Sequence, residues 1–340
     1  MIDWRVKVSA ILHDPITKAL SLAEHERKAK DLMEKVGLEW KEPVKSIVGE
    51  ADRIASAADR IPLYKGEGQR DLPSIDWGGR DNIALYHPLS SRPLLSDNLE
   101  ITDLSNIVEG ISIESRSALS SAEELIPNRD RFDREIRDKV IQKYRTLSEA
   151  SNSDDEVYRR LFLWLWRSLD TLHGQTGFQG FILSWLPADT RIPDHSIYDH
   201  LITASAFTIS NPCLLAFDIG GVGDFISQSR KTRDLWASSY LVSLSALAGM
   251  MVVVRKLGPD SILFPDLRKH PLIDLYLHLE GVLTKEELFD LWGGKERFVK
   301  ALFVPSIPGT FTIIAPKDRA KDLTGEIKSA IGGFFDRTLE

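Results

Sequence analysis

Apolar residues in the first part of the chain, Ile2, Val6, Ile11 and Leu12 and then Ala51, Ile54, Ala55 and Ala58, recur at three- and four-residue steps. That is the helical period, and it predicts helices over roughly the first 65 residues. From Gly66 to Pro127 the pattern is broken by Gly66, Gly68, Pro73, Gly78, Gly79, Pro88 and Pro93, which predicts a loop-rich insertion. Helical periodicity returns over Arg129–Leu172, where Val157–Trp166 is apolar on several sides and reads as buried. A further helix after Pro193 carries His195 and His200 towards Ile209.

Beyond Pro212 the grammar changes to mixed α/β. Cys213–Phe217 predicts a buried strand, Asp218-Ile219-Gly220-Gly221 a tight turn, and Phe225–Leu257 one long helix stopped by Gly258-Pro259. Ser261–Phe264 and Phe311–Ala315 predict two more strands before a last helix from Lys317. The expected fold class is therefore α+β: a helical domain over 1–210 with the insertion at about 66–127, then a ferredoxin-like palm over 211–340. That palm is incomplete, because its final strand is missing when the sequence stops at Glu340, so a longer protein is expected.

Composition narrows the chemistry. The 340 residues carry 50 acidic against 43 basic side chains, a net charge of −7, which argues against coating nucleic acid through the overall field. Cys213 is the only cysteine, so neither an intrachain disulfide nor a cysteine-rich zinc knuckle is available, and a reducing, cytoplasmic setting is expected. No run of eighteen uninterrupted apolar residues occurs, and no membrane association is expected.

The chemistry-bearing pattern starts at His13-Asp14, an imidazole and a carboxylate brought together where Pro15 must distort the backbone. Asp52 and Asp59 share a helical face bordered by small alanines, which lets an ion approach. His195 and His200 diverge by about 140° on a regular helix, so they do not both point at one ion; His200 faces the interior and His195 is the outer contact. Mixed histidine and carboxylate ligands suit a divalent transition metal, Mn, Ni, Co or Fe, that activates water towards a phosphodiester. His25, beside Glu26, is a candidate ligand for a second ion. In the second domain Asp218 ends the first strand, Gly220 and Gly221 let backbone approach a phosphate, and Arg230, Lys231 and Arg233 offer cations to a triphosphate, an RNA or a neighbouring subunit. The plain structural alternatives are Asp14 paired with Lys18 four residues on, a glycine-rich strand-to-helix turn, and a solvated basic face.

Leu12-His13-Asp14-Pro15 with Lys18, Ala58-Asp59-Arg60, His87-Pro88-Leu89-Ser90, Leu186-Pro187-Ala188-Asp189-Thr190-Arg191, Phe217-Asp218-Ile219-Gly220 and Arg230-Lys231-Thr232-Arg233-Asp234-Leu235-Trp236 resemble, in order, the signature large subunit of type III CRISPR effector complexes, closest to the type III-B (Cmr) form. The resemblance implies a circularly permuted HD domain followed by a nucleotidyl-cyclase-type palm. It maps His13 and Asp14 to the catalytic doublet, Asp59 to the terminal aspartate, and His200 or His195 to the displaced histidine. It implies metal-dependent cleavage of single-stranded DNA, guide and target RNA and other effector subunits as partners, and ATP with magnesium at the palm of the full-length protein. The family's cyclic oligoadenylate synthesis uses a Gly-Gly-Asp-Asp motif that is absent here, since Gly293-Gly294 is followed by Lys295-Glu296, so none is expected from this chain alone. Two other readings stay open, a freestanding HD phosphohydrolase acting on nucleotides and a catalytically silent scaffold.

Overall fold

The computed structural model describes residues 2–20, 24–56, 115–174, 183–184, 186–189 and 195–339, with side chains except at 115–127 and 337–339. It is mostly helical with one small sheet, as α+β requires. Contacts divide the chain into two compact units, one from Arg5–Val157 and Ser168–Ser205, the other from Met1–Trp4, Tyr158–Arg167 and Ala206–Glu340.

The first unit contains α1 (Trp4–Leu12), α2 (His25–Lys35), α3 (Val44–Ala55), α4 (Ser115–Ala150), the start of α5 (Asp154–Ser168) and most of α6 (Ile197–Ala206). Val6 and Ala10 of α1 bury against Val48 of α3, with Trp40, Val44 and Ile47 packed around them. Val44, Val48 and Ala51 fall at four- and three-residue steps, and this stripe turns α3 so that Asp52 comes to the rim of the contact. α4 begins at Ser115, inside the stretch read as loop-rich, and runs through Pro127. The Ala-Glu-Glu-Leu segment before that proline favours helix, and one proline removes a single backbone donor from a helix of 36 residues. Residues 66–114 lie outside the described residues.

In the second unit β1 (Pro212–Asp218), β2 (Ile262–Phe264) and β3 (Thr310–Pro316) form a sheet of order β1-β3-β2. β3 is antiparallel to both neighbours, from Pro212 opposite Pro316 to Asp218 opposite Thr310, which makes a split β-α-β arrangement. Two expectations are corrected. β1 is not buried: exposed and half-buried residues alternate along it, and Leu214 is 65% exposed, because β3 is its only strand partner among the described residues and one face of an antiparallel strand can stand in water. The single helix expected over Phe225–Leu257 is two, α7 (Val222–Ser227) and α8 (Thr232–Lys256), separated at 228–231, where Lys231 is extended.

α8 is long and apolar enough to cross a membrane by length and composition, yet half of its most apolar window is buried inside the protein. It packs on α12 (Ala320–Leu339), where Gly249 lets Ile327 and Ile331 come close. Between β2 and β3 lie α9 (Pro271–Leu279), α10 (Lys285–Leu291) and α11 (Lys295–Leu302). A buried pair, Arg167 Nε and Nη2 on Asp274 Oδ1 and Oδ2 at 2.6 and 2.8 Å, fastens α5 to α9, and Trp292 Nε1 donates to the same carboxylate at 2.8 Å.

Candidate metal centre

α1 ends at Leu12, and His13 and Asp14 stand in the bend before Pro15. The absence of helix there lets the two side chains converge, as adjacent helical residues do not. His13 Nδ1 donates to the Ala10 carbonyl at 2.6 Å, which leaves Nε2 as the nitrogen that faces the cluster. α6 supplies His200: Ser196 Oγ accepts the Asp199 N–H at 3.1 Å and donates to the Asp199 carboxylate at 2.8 Å, fixing the first turn. A short antiparallel bridge, Ala188 N–H to His195 C=O at 3.2 Å and Ile197 N–H to Leu186 C=O at 2.8 Å, holds the entry to that helix.

His13, Asp14 and His200 each place one potential ligand atom within 4.8 Å of the others, the only such group of three among the described residues. His13 Nε2 is 3.6 Å from Asp14 Oδ2 and 3.6 Å from Asp52 Oδ1, and His200 Nε2 is 3.1 Å from the same Asp52 oxygen. Ligands bound at about 2.1 Å are separated by about 3.0 Å at octahedral and about 3.4 Å at tetrahedral edges, so these spacings fit one ion of that size. Neither Nε2 makes a well-aligned hydrogen bond, although both are buried. Two buried imidazole nitrogens aimed at carboxylates are what a divalent metal uses, and the donor set fits it.

Electrostatics prepare the ligands unequally. Burial disfavours the charged form of His13, but the Asp52 and Asp14 carboxylates and the Ala10 carbonyl outweigh it and raise its pKa. Burial also opposes ionisation of Asp52, yet hydrogen bonding and attraction from His13 and His200 hold it well below the usual carboxylate range. His200 is lowered, first by burial and then by repulsion from His13. The carboxylates thus favour a proton on His13 while burial disfavours one on His200, and an ion at His13 Nε2 would compete with that proton.

Around this core, Lys18 Nζ lies 2.6 Å from Asp14 Oδ2 and His25 Nε2 lies 3.8 Å from Asp14 Oδ1. A cavity of about 330 Å³ reaches Asp14 from the α2 and α4 side, with Arg27, Lys28, Arg134 and Arg137 among its lining. The His195 ring sits 5.7 Å from that of His200, and the His13 ring 5.6 Å from it, centroid to centroid. Asp59 lies outside the described residues. Asp52, on the face noted in the sequence but left out of the expected ligands, is the carboxylate the structure brings to both imidazoles. Its sequence signal was the pair of small neighbours, Ala51 and Ala55.

The other candidates belong to the second unit. Asp218 is exposed at the end of β1; Gly221 has φ of 75° and leads into α7, and a Cβ at Gly220 or Gly221 would meet nothing within 4 Å. Arg230, Lys231 and Arg233 are all exposed.

Residues 214–340 match the family model described as CRISPR-associated protein Cmr2, N-terminal. Over 98% of its length the chain is 26% identical to the CRISPR system Cmr subunit Cmr2 of Pyrococcus furiosus, and over 91% it is 27% identical to the corresponding subunit of Saccharolobus solfataricus. It spans 37% and 29% of those proteins. Among solved structures, the type III-B Cmr-beta complex in its apo state holds a chain similar over 97% of this one and 32% of its own length, at 25% identity and a TM-score of 0.59. The expected resemblance is therefore found: the chain is similar to the N-terminal part of the type III-B large subunit.

Proposed function

We propose that this chain, similar to the N-terminal part of type III-B large subunits, is the nuclease-bearing part of an RNA-guided antiviral effector subunit. The first unit is read as a permuted HD domain that cleaves single-stranded DNA, and the second as a palm. The observation that carries this is the convergence of His13, Asp14 and His200 on one small volume, with Asp52 beside them. The ligand types and spacings favour Mn, Ni, Co or Fe, and such an ion supplies Lewis acidity that makes water a competent nucleophile at a phosphodiester. The chain's own residues do the rest. The Ala10 carbonyl fixes the His13 ring with Nε2 turned to the centre, and Asp52 places its negative charge beside both imidazoles.

Guide RNA, target RNA and neighbouring subunits are the partners this reading implies, with a cytoplasmic setting. In the second unit the split β-α-β sheet supports a palm, with Asp218, Gly220, Gly221, Arg230, Lys231 and Arg233 as its nucleotide contacts in the full-length protein. The chain alone makes no cyclic oligoadenylate. Incubation with single-stranded DNA and Mn tests the reading: slow cleavage is expected, lost on joint His13→Ala and Asp14→Ala substitution. Hydrolysis of free nucleotides with DNA left intact would favour a freestanding phosphohydrolase instead.

A further inference from the structure

Asp14 is held by a cation of the protein itself. Lys18 Nζ sits 2.6 Å from Asp14 Oδ2, at the favourable four-residue spacing, and begins the short 3-10 turn Lys18–Leu20 that follows Pro15. The backbone fixes this placement, because the Lys18 N–H donates to the Pro15 carbonyl at 3.0 Å. The oxygen that Lys18 holds is the one that approaches His13 Nε2, at 3.6 Å; the other Asp14 oxygen turns towards His25. Asp14 is 6% exposed and the Lys18 side chain 22%, so the carboxylate is fixed in the interior while the ammonium reaches towards water.

We infer that Lys18 is a resident counter-ion of the metal-free centre, which competes with the divalent ion for Asp14 Oδ2 and is displaced towards solvent when the ion binds. The inference rests on the metal reading above and adds to it a residue that sets affinity. Its physical basis is direct. An ion coordinated by His13, His200 and Asp14 reaches the carboxylate most directly at Oδ2, the oxygen that faces His13 and is already held by an ammonium, and at that range a doubly charged ion and Lys18 repel each other. Losing the ammonium would leave buried Asp14 without its nearest cation in the metal-free state, which is costly for a carboxylate. Lys18 thus stabilises the empty centre and weakens the filled one.

Equilibrium dialysis of Mn²⁺ against the full chain tests this with the parent, Lys18→Met and Lys18→Arg. The expected result is binding about tenfold tighter in Lys18→Met, with Lys18→Arg close to the parent because the charge is kept. In EDTA, Lys18→Met should melt below the parent, and saturating Mn²⁺ should raise its Tm by more. A purely structural role for Lys18 predicts weaker metal binding in Lys18→Met, and equal or weaker binding overturns the inference while leaving the metal centre intact. No binding of Mn²⁺ by the parent would overturn the metal reading and this inference together. A second measurement needs no variant: acetylation by an N-hydroxysuccinimide ester, read by mass spectrometry, should be slower at Lys18 in EDTA than in Mn²⁺. Equal rates would contradict displacement.

Discussion

His200 Nε2 stands 3.1 Å from Asp52 Oδ1, which ties α6 to α3 across a long stretch of intervening chain. Asp52 also faces His13 Nε2 at 3.6 Å and accepts the Ser56 hydroxyl at 3.3 Å, so one carboxylate borders both of the nitrogens that face the centre. Replacing it with asparagine keeps the size and removes the charge. Asp52→Asn should weaken Mn²⁺ binding by about tenfold or more, because it removes a negative charge that lies beside the ion. Calorimetric titration against the parent measures this, and unchanged affinity would remove Asp52 from the centre.

The Arg167–Asp274 pair is 2% and 0% exposed, and Trp292 donates to the same carboxylate. Asp274→Ala strands a buried guanidinium and should cost about 3–5 kcal/mol. Arg167→Met combined with Asp274→Leu should cost much less, since both charges leave together. Urea unfolding midpoints distinguish the two; equal losses would mean that packing volume, rather than the ion pair, governs this contact.

Gly249 is where α8 and α12 approach, and a Cβ there would come within 3.0 Å of the Ile331 side chain. Gly249→Val should destabilise by about 1–3 kcal/mol through overpacking. Gly325, where nothing lies within 4 Å, is the control: Gly325→Ala should be neutral or stabilising by the helix propensity gained. The thermal midpoints of the two variants provide the comparison.

His270 caps α9, its Nδ1 accepting the Leu272 N–H at 3.3 Å while Nε2 lies 2.9 Å from Ser306 Oγ. The cap requires a neutral ring, and burial lowers the pKa in spite of attraction from Asp274. A lowered folded-state value means that the unfolded chain binds the proton first as pH falls. The contribution is fully present above about 6.5 and declines below it, towards the lower folded-state value. His270→Asn, which retains a capping oxygen, should flatten the fall in stability between about pH 7 and 5. A slope identical to the parent's would assign that acid sensitivity elsewhere.

Local grammar made much of this legible. Strand positions after Pro212, the helix stop at Gly258-Pro259 and the His13-Asp14 bend before Pro15 all follow from residues in sequence proximity. What failed depended on neighbours that periodicity does not encode. An apolar run such as Cys213–Phe217 looks alike whether it has partners on one side or two, so its exposure was invisible. The break at 228–231 sits in a polar stretch of otherwise helix-compatible residues. In the centre, the doublet is a sequence feature, whereas the pairing of Asp52 with His200 is a tertiary one, and the ordering of motifs directed attention to Asp59 instead.

The central claim is that His13, Asp14 and His200, with Asp52 beside them, hold one divalent ion. Anomalous diffraction from crystals of the Mn²⁺-loaded protein locates that ion directly. The account predicts a peak about 2.0–2.2 Å from His13 Nε2, His200 Nε2 and an Asp14 oxygen. Full Mn²⁺ occupancy at some other place, with these side chains unliganded, would contradict it.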